Sequence, residues 1–328
     1  MQTQILSGEQ ALTLAAELIR DGQVVAFPTE TVYGLGADAT NPQAVARIYE
    51  AKGRPSDNPL IVHVADKQAI APLVRQISEQ AQIVMDRFMP GPITVILPRA
   101  ACVPDAVTTG LDTVGIRMPE HPVAREFLRT CGKPIAAPSA NRSSHISPTT
   151  AQHVYEDLQG RIPLIIDGGA CSVGIESTIV DLSGETPIIL RPGAITEQML
   201  ADALGTVQTF RGKVVVARAP GMKYKHYSPK CPMLSTDDCA RAIDAYDRLV
   251  EQDKHPLMLC SSQWVERIGT RRHIDLGPDP QTVMRNIYGA MHAAEGIADT
   301  ILCQDFGDEG VYGSVMNRVR KACGGNTL

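Results

Sequence analysis

Apolar side chains along this chain fall into two patterns, short continuous runs and stretches with helical spacing, and their alternation predicts an α/β protein. In Glu9–Arg20 the residues Leu12, Ala15, Ala16 and Ile19 share one helical face, and Gly22 stands where a C-terminal glycine belongs. A buried strand, Val24–Phe27, follows. Pro28–Gly36 reads as a loop in which Gly34 and Gly36 allow backbone angles that a side chain would forbid. Asn41 and Pro42 supply an N-cap and a first-turn proline for a helix to about Ala51. Further strands are predicted at Leu60–Val64, Ile93–Leu97, Val114–Met118, Pro134–Ala137, Leu164–Ile166, Thr178–Leu182 and Ile188–Leu190. Helices are predicted over Ser78–Phe88 and Thr196–Leu204, from Pro122, and from Ser147, the last with Ser147 as N-cap. Several neighbouring strands leave no room for a helical crossover, so the sheet is expected to be twisted and mixed.

The pattern breaks between Gly205 and Pro232, where apolar Val214–Ala217 precedes APGMKYKHYSPKCP, a segment with no helix or strand period. Its tyrosines, lysines and histidine suit a segment that docks, unlike a Gly/Ser spacer. From Met233 a regular alternation returns: strands at Leu257–Cys260, His273–Leu276 and Thr300–Leu302, and helices at Asp238–Glu251, Pro280–Gly296 and Ser314–Ala322. The expected division is a first domain over 1–205, a docking linker over 206–232 and a smaller, Rossmann-like three-layer α/β domain over 233–328. The tail GGNTL is expected to fray.

A length of 328 residues exceeds what one core usually serves, which agrees with two domains. With 44% apolar and 20% charged residues, disordered and collagen-like classes are excluded. A net charge of −5 argues against a protein that coats nucleic acid, while leaving room for a local basic pocket. The eight cysteines form no CxxC pair and no Cys/His group with zinc spacing, which points away from a structural metal and toward reduced thiols. The amino-terminal stretch lacks a signal-peptide pattern and no run is long enough to span a membrane, so the expectation is a cytoplasmic protein with no membrane partner.

The densest polar stretch is Phe27–Val64. Lys52 and Arg54 suit a phosphate clamp and equally a solvated helix end. Asn58 lies just downstream, and His63, inside the strand LIVHV, reads first as a core or edge residue. Thr29, Glu30 and Thr31 read as turn formers. Arg117 in VGIRMP alternates away from Ile116 and Met118, so it either faces water or reaches into a cleft. Ser139 and Asn141 follow a strand, where open α/β sheets place ligand groups, but they also suit an ordinary turn. Ser147 at a helix start, with Ser177 and Arg191 at strand ends, would lie on the same rim.

In chain order, PTETVYGLG, KGRPSDNPL, GIRMP, PSAN, SPT, ESTIVD, LRPG and PGMKYKHYSP cover about Phe27 to Pro229. Together they resemble the threonylcarbamoyl-AMP synthases of tRNA modification, in the two-domain form with a YrdC-like catalytic domain. The resemblance implies that L-threonine, bicarbonate or CO2, and ATP are joined into L-threonylcarbamoyladenylate with release of pyrophosphate. The product would pass to the tRNA threonylcarbamoyl-transferase machinery, with room for a weak contact to tRNA itself. By the same resemblance Thr31, His63, Arg117 and Ser177 match threonine-binding positions. Arg54, Asn58, Thr113, Ser139, Asn141, Ser147, Arg191 and Tyr227 match nucleotide-binding positions, and Lys52 with Arg54 matches the catalytic Lys-x-Arg. Ser228 stands where many relatives have alanine. The implied cofactor is magnesium carried by the ATP phosphates, with no metal held by the protein alone. Gly221–Pro229 is the implied lid, because a carbamate needs shelter from water.

Two competing readings are a nonenzymatic double-stranded RNA or tRNA-binding module, and a carbamoyl-transfer enzyme like the related domain of hydrogenase maturation proteins. The net acidity weighs against the first. The absence from the sequence of zinc-finger-like and acylphosphatase-like segments weighs against the second.

Overall fold

The computed structural model describes residues 1–210 and 227–328, and its backbone contacts divide into two units. The apolar segment Val214–Ala217 and most of the expected lid lie outside the described residues.

The first unit is built on a mixed sheet. Its strands are β1 (Gln4–Leu6), β2 (Val25–Phe27), β3 (Gly34–Asp38), β4 (Ile61–His63), β5 (Ile93–Pro98) and β6 (Thr113–Arg117). They continue with β7 (Ile135–Ala137), β8 (Leu164–Ile166), β9 (Thr178–Asp181), β10 (Ile188–Arg191) and β11 (Gln208–Thr209). Their order across the sheet is β1-β8-β2-β3-β7-β4-β6-β5-β9-β10-β11. Strand β6 pairs parallel with β4 and antiparallel with β5, the mixture expected where connections are too short for crossovers.

Alternation along the strands separates the two faces of this sheet. On one face Ala26, Leu35, Val62, Val95, Val114, Ile116, Ala136 and Val180 enter the main core. On the other, Val25, Phe27, Ile135, Ala137, Leu164 and Ile166 pack against the helices Gly8–Arg20 and Pro122–Cys131. Farther along that second face the apolar cluster shrinks to Ile61, Ile96, Ile179 and Leu190. The polar residues of interest occupy this part.

Three local expectations are corrected. Pro28–Gly36 is not all loop, because Gly34 and Gly36 lie in β3, antiparallel to β2, and neither has a positive φ. Their role is space: a Cβ on Gly36 would stand 2.6 Å from Ile135 Cγ2 and 2.9 Å from Phe27 Cε1. The bare backbone lets the Phe27 ring lie toward His63, edge to face at 5.7 Å. Gly36→Ala should therefore cost about 1–3 kcal/mol by overpacking, read by urea denaturation. An unchanged midpoint would mean that Phe27 and Ile135 can move aside.

Ser147 is not an N-cap. The helix is Ala151–Leu158, and Thr150 caps it by accepting from the His153 backbone N–H at 3.2 Å. Both positions carry a cap-type residue, and the one that reaches a free first-turn N–H decides the start.

The second unit comprises Ser144–Ser147, Val173–Ile175 and the carboxy-terminal segment. Its sheet is parallel, with β12 (Met233–Thr236), β13 (Pro256–Cys260), β14 (His273–Asp275) and β15 (Thr300–Gln304) in the order β12-β15-β13-β14. Helices Cys239–Glu251 and Ser262–Ile268 pack on the face that carries Met258, Cys260 and Leu302. The sequence pattern predicts neither Ser262–Ile268 nor β1, since both are short. The tail does not fray: Leu328 N–H donates to the Ser235 carbonyl at 3.0 Å and Thr327 bridges to Ser235 alongside β12.

Candidate active site

Register gathers the first group of residues. His63 pairs directly with Arg117 across β4 and β6, so their side chains share a face. Thr113 and Gly115 precede Arg117 on that face by the period of two, and Ile61 precedes His63. One step beyond the Val95–Ile116 pair, Thr94 comes opposite Arg117. Ile61, Thr94, Ile96, Thr113, Gly115 and Ile179 line one pocket on this face.

Arg117 reaches inward and is 4% exposed, which decides the alternative left open by the sequence. Its Nη2 lies 2.7 Å from Glu30 Oε1, and the other Glu30 oxygen accepts from the Glu120 N–H at 3.2 Å. The two charges neutralise one another in a place where either alone would be costly. Arg117 Nε is buried and has no hydrogen-bond acceptor among the described residues. Glu30, read from sequence as a turn former, is therefore the counter-ion of the site. The only trace of this in the sequence is an acidic residue flanked by threonines in a loop of few charges.

His63 Nδ1 donates to the Ile61 carbonyl at 3.2 Å. Burial first, and the Arg117 charge second, push its pKa down to about 3, so the imidazole is neutral at pH 7. With the proton on Nδ1, Nε2 is an acceptor.

The threonine turn is held by hydrogen bonds of its own. Thr29 Oγ1 donates to the Val32 carbonyl at 2.7 Å and accepts from the Thr31 and Val32 N–H groups. Thr29 Oγ1 also lies 2.8 Å from the Thr31 hydroxyl and 3.5 Å from Arg117 Nη2. Thr31 is left with lone pairs to offer.

Ser177 and Arg191 also meet. Arg191 donates through Nε to the Ser177 carbonyl at 3.0 Å and through Nη2 to Ser177 Oγ at 3.1 Å. Thr94 Oγ1 lies 2.8 Å from the same Ser177 oxygen. Sequence reasoning missed Thr94, although a lone hydroxyl within the apolar strand ITVIL was visible.

The Lys-x-Arg and Ser-x-Asn segments are joined by Lys52. Its buried Nζ donates to the main-chain carbonyls of Ser139 and Asn141, tying the end of helix Pro42–Lys52 to the loop after β7. Burial, then the neighbouring Arg54 charge, lower its pKa well below that of a free lysine. The third N–H of an ammonium here has no acceptor among the described residues. Arg54 Nη2 donates to the carbonyl of the fully buried Asn58 at 3.3 Å. Ser139 bridges to Gly34, which seats the loop on β3. Ser147 and Tyr227 belong to the second unit. There the Ser147 carbonyl accepts from His292 Nε2 at 3.3 Å, and Tyr227, at a φ of 66°, packs its ring 5.4 Å from Tyr288.

The fold and this polar face define a class. A family model described as "Telomere recombination", which unites Sua5, YciO and YrdC proteins, matches residues 17–193. A second, described as "Threonylcarbamoyl-AMP synthase, C-terminal domain", matches residues 195–324. Threonylcarbamoyl-AMP synthase of Bacillus subtilis is 42% identical over 99% of this chain and 96% of its own length. The Pyrococcus abyssi protein of the same name is 41% identical over 96% of this chain and 95% of its own. The solved structure of P. abyssi Sua5 complexed with L-threonine superimposes with a TM-score of 0.93 at 39% identity, covering 100% of this chain and 99% of that one. The chain belongs to the threonylcarbamoyl-AMP synthase family.

Proposed function

We propose that this chain makes L-threonylcarbamoyladenylate from L-threonine, bicarbonate or CO2, and ATP, releasing pyrophosphate, as the precursor for threonylcarbamoyl modification of the adenosine next to the tRNA anticodon. The observation that carries the amino-acid half is the buried Arg117 Nε, which has no acceptor among the described residues, in a site whose Thr31 hydroxyl and His63 imidazole can accept. A guanidinium N–H suits a carboxylate oxygen, while Thr31 Oγ1 and His63 Nε2 suit the hydrogens of an amine or hydroxyl. Thus the site has the polarity of an amino acid. The solved structure of P. abyssi Sua5 complexed with L-threonine supports the same choice.

In this reading a neutral threonine amine attacks CO2 and releases a proton to solvent, and an oxygen of the resulting carbamate attacks the α-phosphorus of ATP as pyrophosphate leaves. His63, held neutral, has a ring nitrogen to accept a hydrogen bond from the amine. Arg54 would take a phosphate oxygen, as a guanidinium suits. Lys52 holds the Ser139–Asn141 loop in position, and in its ammonium form a third N–H would serve a phosphoryl oxygen. Asn58, Thr113, Asn141, Arg191, Ser147 and Tyr227 would contact the nucleotide, a role that rests on the resemblance. Among the described residues no cluster of three or more His, Cys, Asp or Glu side chains could hold a metal. Magnesium would enter on the triphosphate, where it would neutralise the charge of the leaving pyrophosphate.

The test is pyrophosphate release in the presence of L-threonine, bicarbonate, magnesium and ATP. Release that vanishes when threonine is omitted supports the reading. Salt-sensitive tRNA binding with no threonine-dependent release would support the RNA-binding module instead.

A further inference from the structure

Thr94 is fully buried in a strand whose neighbouring residues, Ile93, Val95, Ile96 and Leu97, are all apolar. A hydroxyl there needs a partner, and its partner is Ser177 Oγ at 2.8 Å. Two hydroxyls carry two protons, and the hydrogen bond between them uses one. Arg191 Nη2 approaches Ser177 Oγ at 3.1 Å, and a guanidinium only donates, so this contact occupies a lone pair and takes up no proton. Neither hydroxyl has another acceptor among the described residues. One O–H of the pair is therefore unspent in a buried setting, whichever way the bond runs.

The cooperative arrangement has Thr94 donating to Ser177. Ser177 then accepts from both Thr94 and Arg191, which fills its lone pairs and polarises its own O–H. Thr94 is held for this role. Its Cγ2 lies 3.3 Å from where a Cβ on Gly115 would be, so the missing side chain of Gly115 leaves room for its methyl group. Opposite Thr94 in the ladder stands Arg117, with its unclaimed Nε.

We infer that Thr94 is a positioning residue for substrate binding: by donating to Ser177 it turns the Ser177 O–H toward a carboxylate or carbamate oxygen of the amino-acid substrate. The inference rests on the proposed function and adds a residue to it.

The experiment compares the full-length wild type with Thr94→Val, which is nearly isosteric but lacks the hydroxyl, and with Thr94→Ser, which keeps it. Calorimetry with L-threonine should give binding about tenfold to a hundredfold weaker in Thr94→Val, the range for a hydrogen bond to a charged group. Thr94→Ser should stay close to wild type. Affinity for ATP and the thermal midpoint should be unchanged in both, and in turnover the threonine KM should rise with little change in kcat. Wild-type threonine affinity in Thr94→Val would overturn the inference. Equal weakening in the two variants would also overturn it by assigning the role to the methyl group, and equal losses for threonine and ATP would reduce Thr94 to a structural residue. If Thr94→Val fails to fold, Thr94→Ser alone decides, since its retained affinity requires the hydroxyl to suffice without the methyl. A wild type that binds no L-threonine would bring down the proposed function and this inference together, whereas a binding wild type with an unaffected Thr94→Val brings down this inference alone.

Discussion

Replacing Arg117 with alanine is expected to lower the unfolding free energy by about 3–5 kcal/mol and to abolish L-threonine binding. The stability loss follows from what stays behind. Glu30 is 3% exposed, and without the guanidinium 2.7 Å away its carboxylate would be buried with only the Glu120 N–H as partner. The double variant Glu30→Leu/Arg117→Met separates the two effects. An apolar pair of similar volume avoids the desolvation cost of both charges, so most of the lost stability should return. Threonine binding should not return, because the donor for its carboxylate is gone. Urea denaturation and calorimetry read the two outcomes. A wild-type midpoint in Arg117→Ala would show that the ion pair contributes nothing, and threonine binding by the double variant would remove Arg117 from the site.

The second large effect is a stability loss in acid that depends on His63. Its pKa is about 3 in the folded protein, whereas an unfolded chain has an ordinary histidine near pH 6.5. Above the unfolded value both states are neutral and His63 adds no pH dependence. Below it the unfolded state takes up a proton that the folded state refuses, so stability falls with falling pH until about pH 3. The slope from this one group is about 1.4 kcal/mol per pH unit, or roughly 2 kcal/mol between pH 6.5 and 5. His63→Gln removes that contribution. The difference in stability between wild type and variant should therefore shrink or reverse as the pH is lowered from 7 to 5. Parallel stability curves over that range would mean that His63 titrates normally and is not held between burial and the Arg117 charge.

Much of the fold could be read from the sequence wherever local chemistry is strong. Asn41 accepts from the N–H groups of Gln43 and Ala44, as an N-cap before proline should, and the helix Pro42–Lys52 ends at Gly53 in the left-handed region. The apolar runs became strands within a residue or two of their expected ends. Where local signals compete, sequence is a poorer guide. Ser147 and Thr150 are both competent caps, and only the path of the chain brings the Thr150 hydroxyl to a free N–H. Gly34 and Gly36 suggest a flexible turn by residue type. Their actual use, making room for Phe27, depends on a strand pairing that no local pattern specifies.

The site divides in the same way. Residue types and their order along the chain drew attention to Lys52, Arg54, Arg117, Ser139, Ser177 and Arg191, whereas Thr31 and His63 read first as a turn former and a core residue and entered through the resemblance. What each of them does was decided by tertiary structure. Register set His63 beside Arg117, and a turn distant in sequence brought Glu30 to the guanidinium, turning an arginine of undecided orientation into half of a buried pair. Lys52 found two main-chain carbonyls, and Ser177 found Thr94. The physical reason is that burial and proton direction are properties of a surrounding shell. A sequence names the donors and acceptors it contains, but which of them are already used, and which are left for a substrate, depends on neighbours supplied by remote parts of the chain.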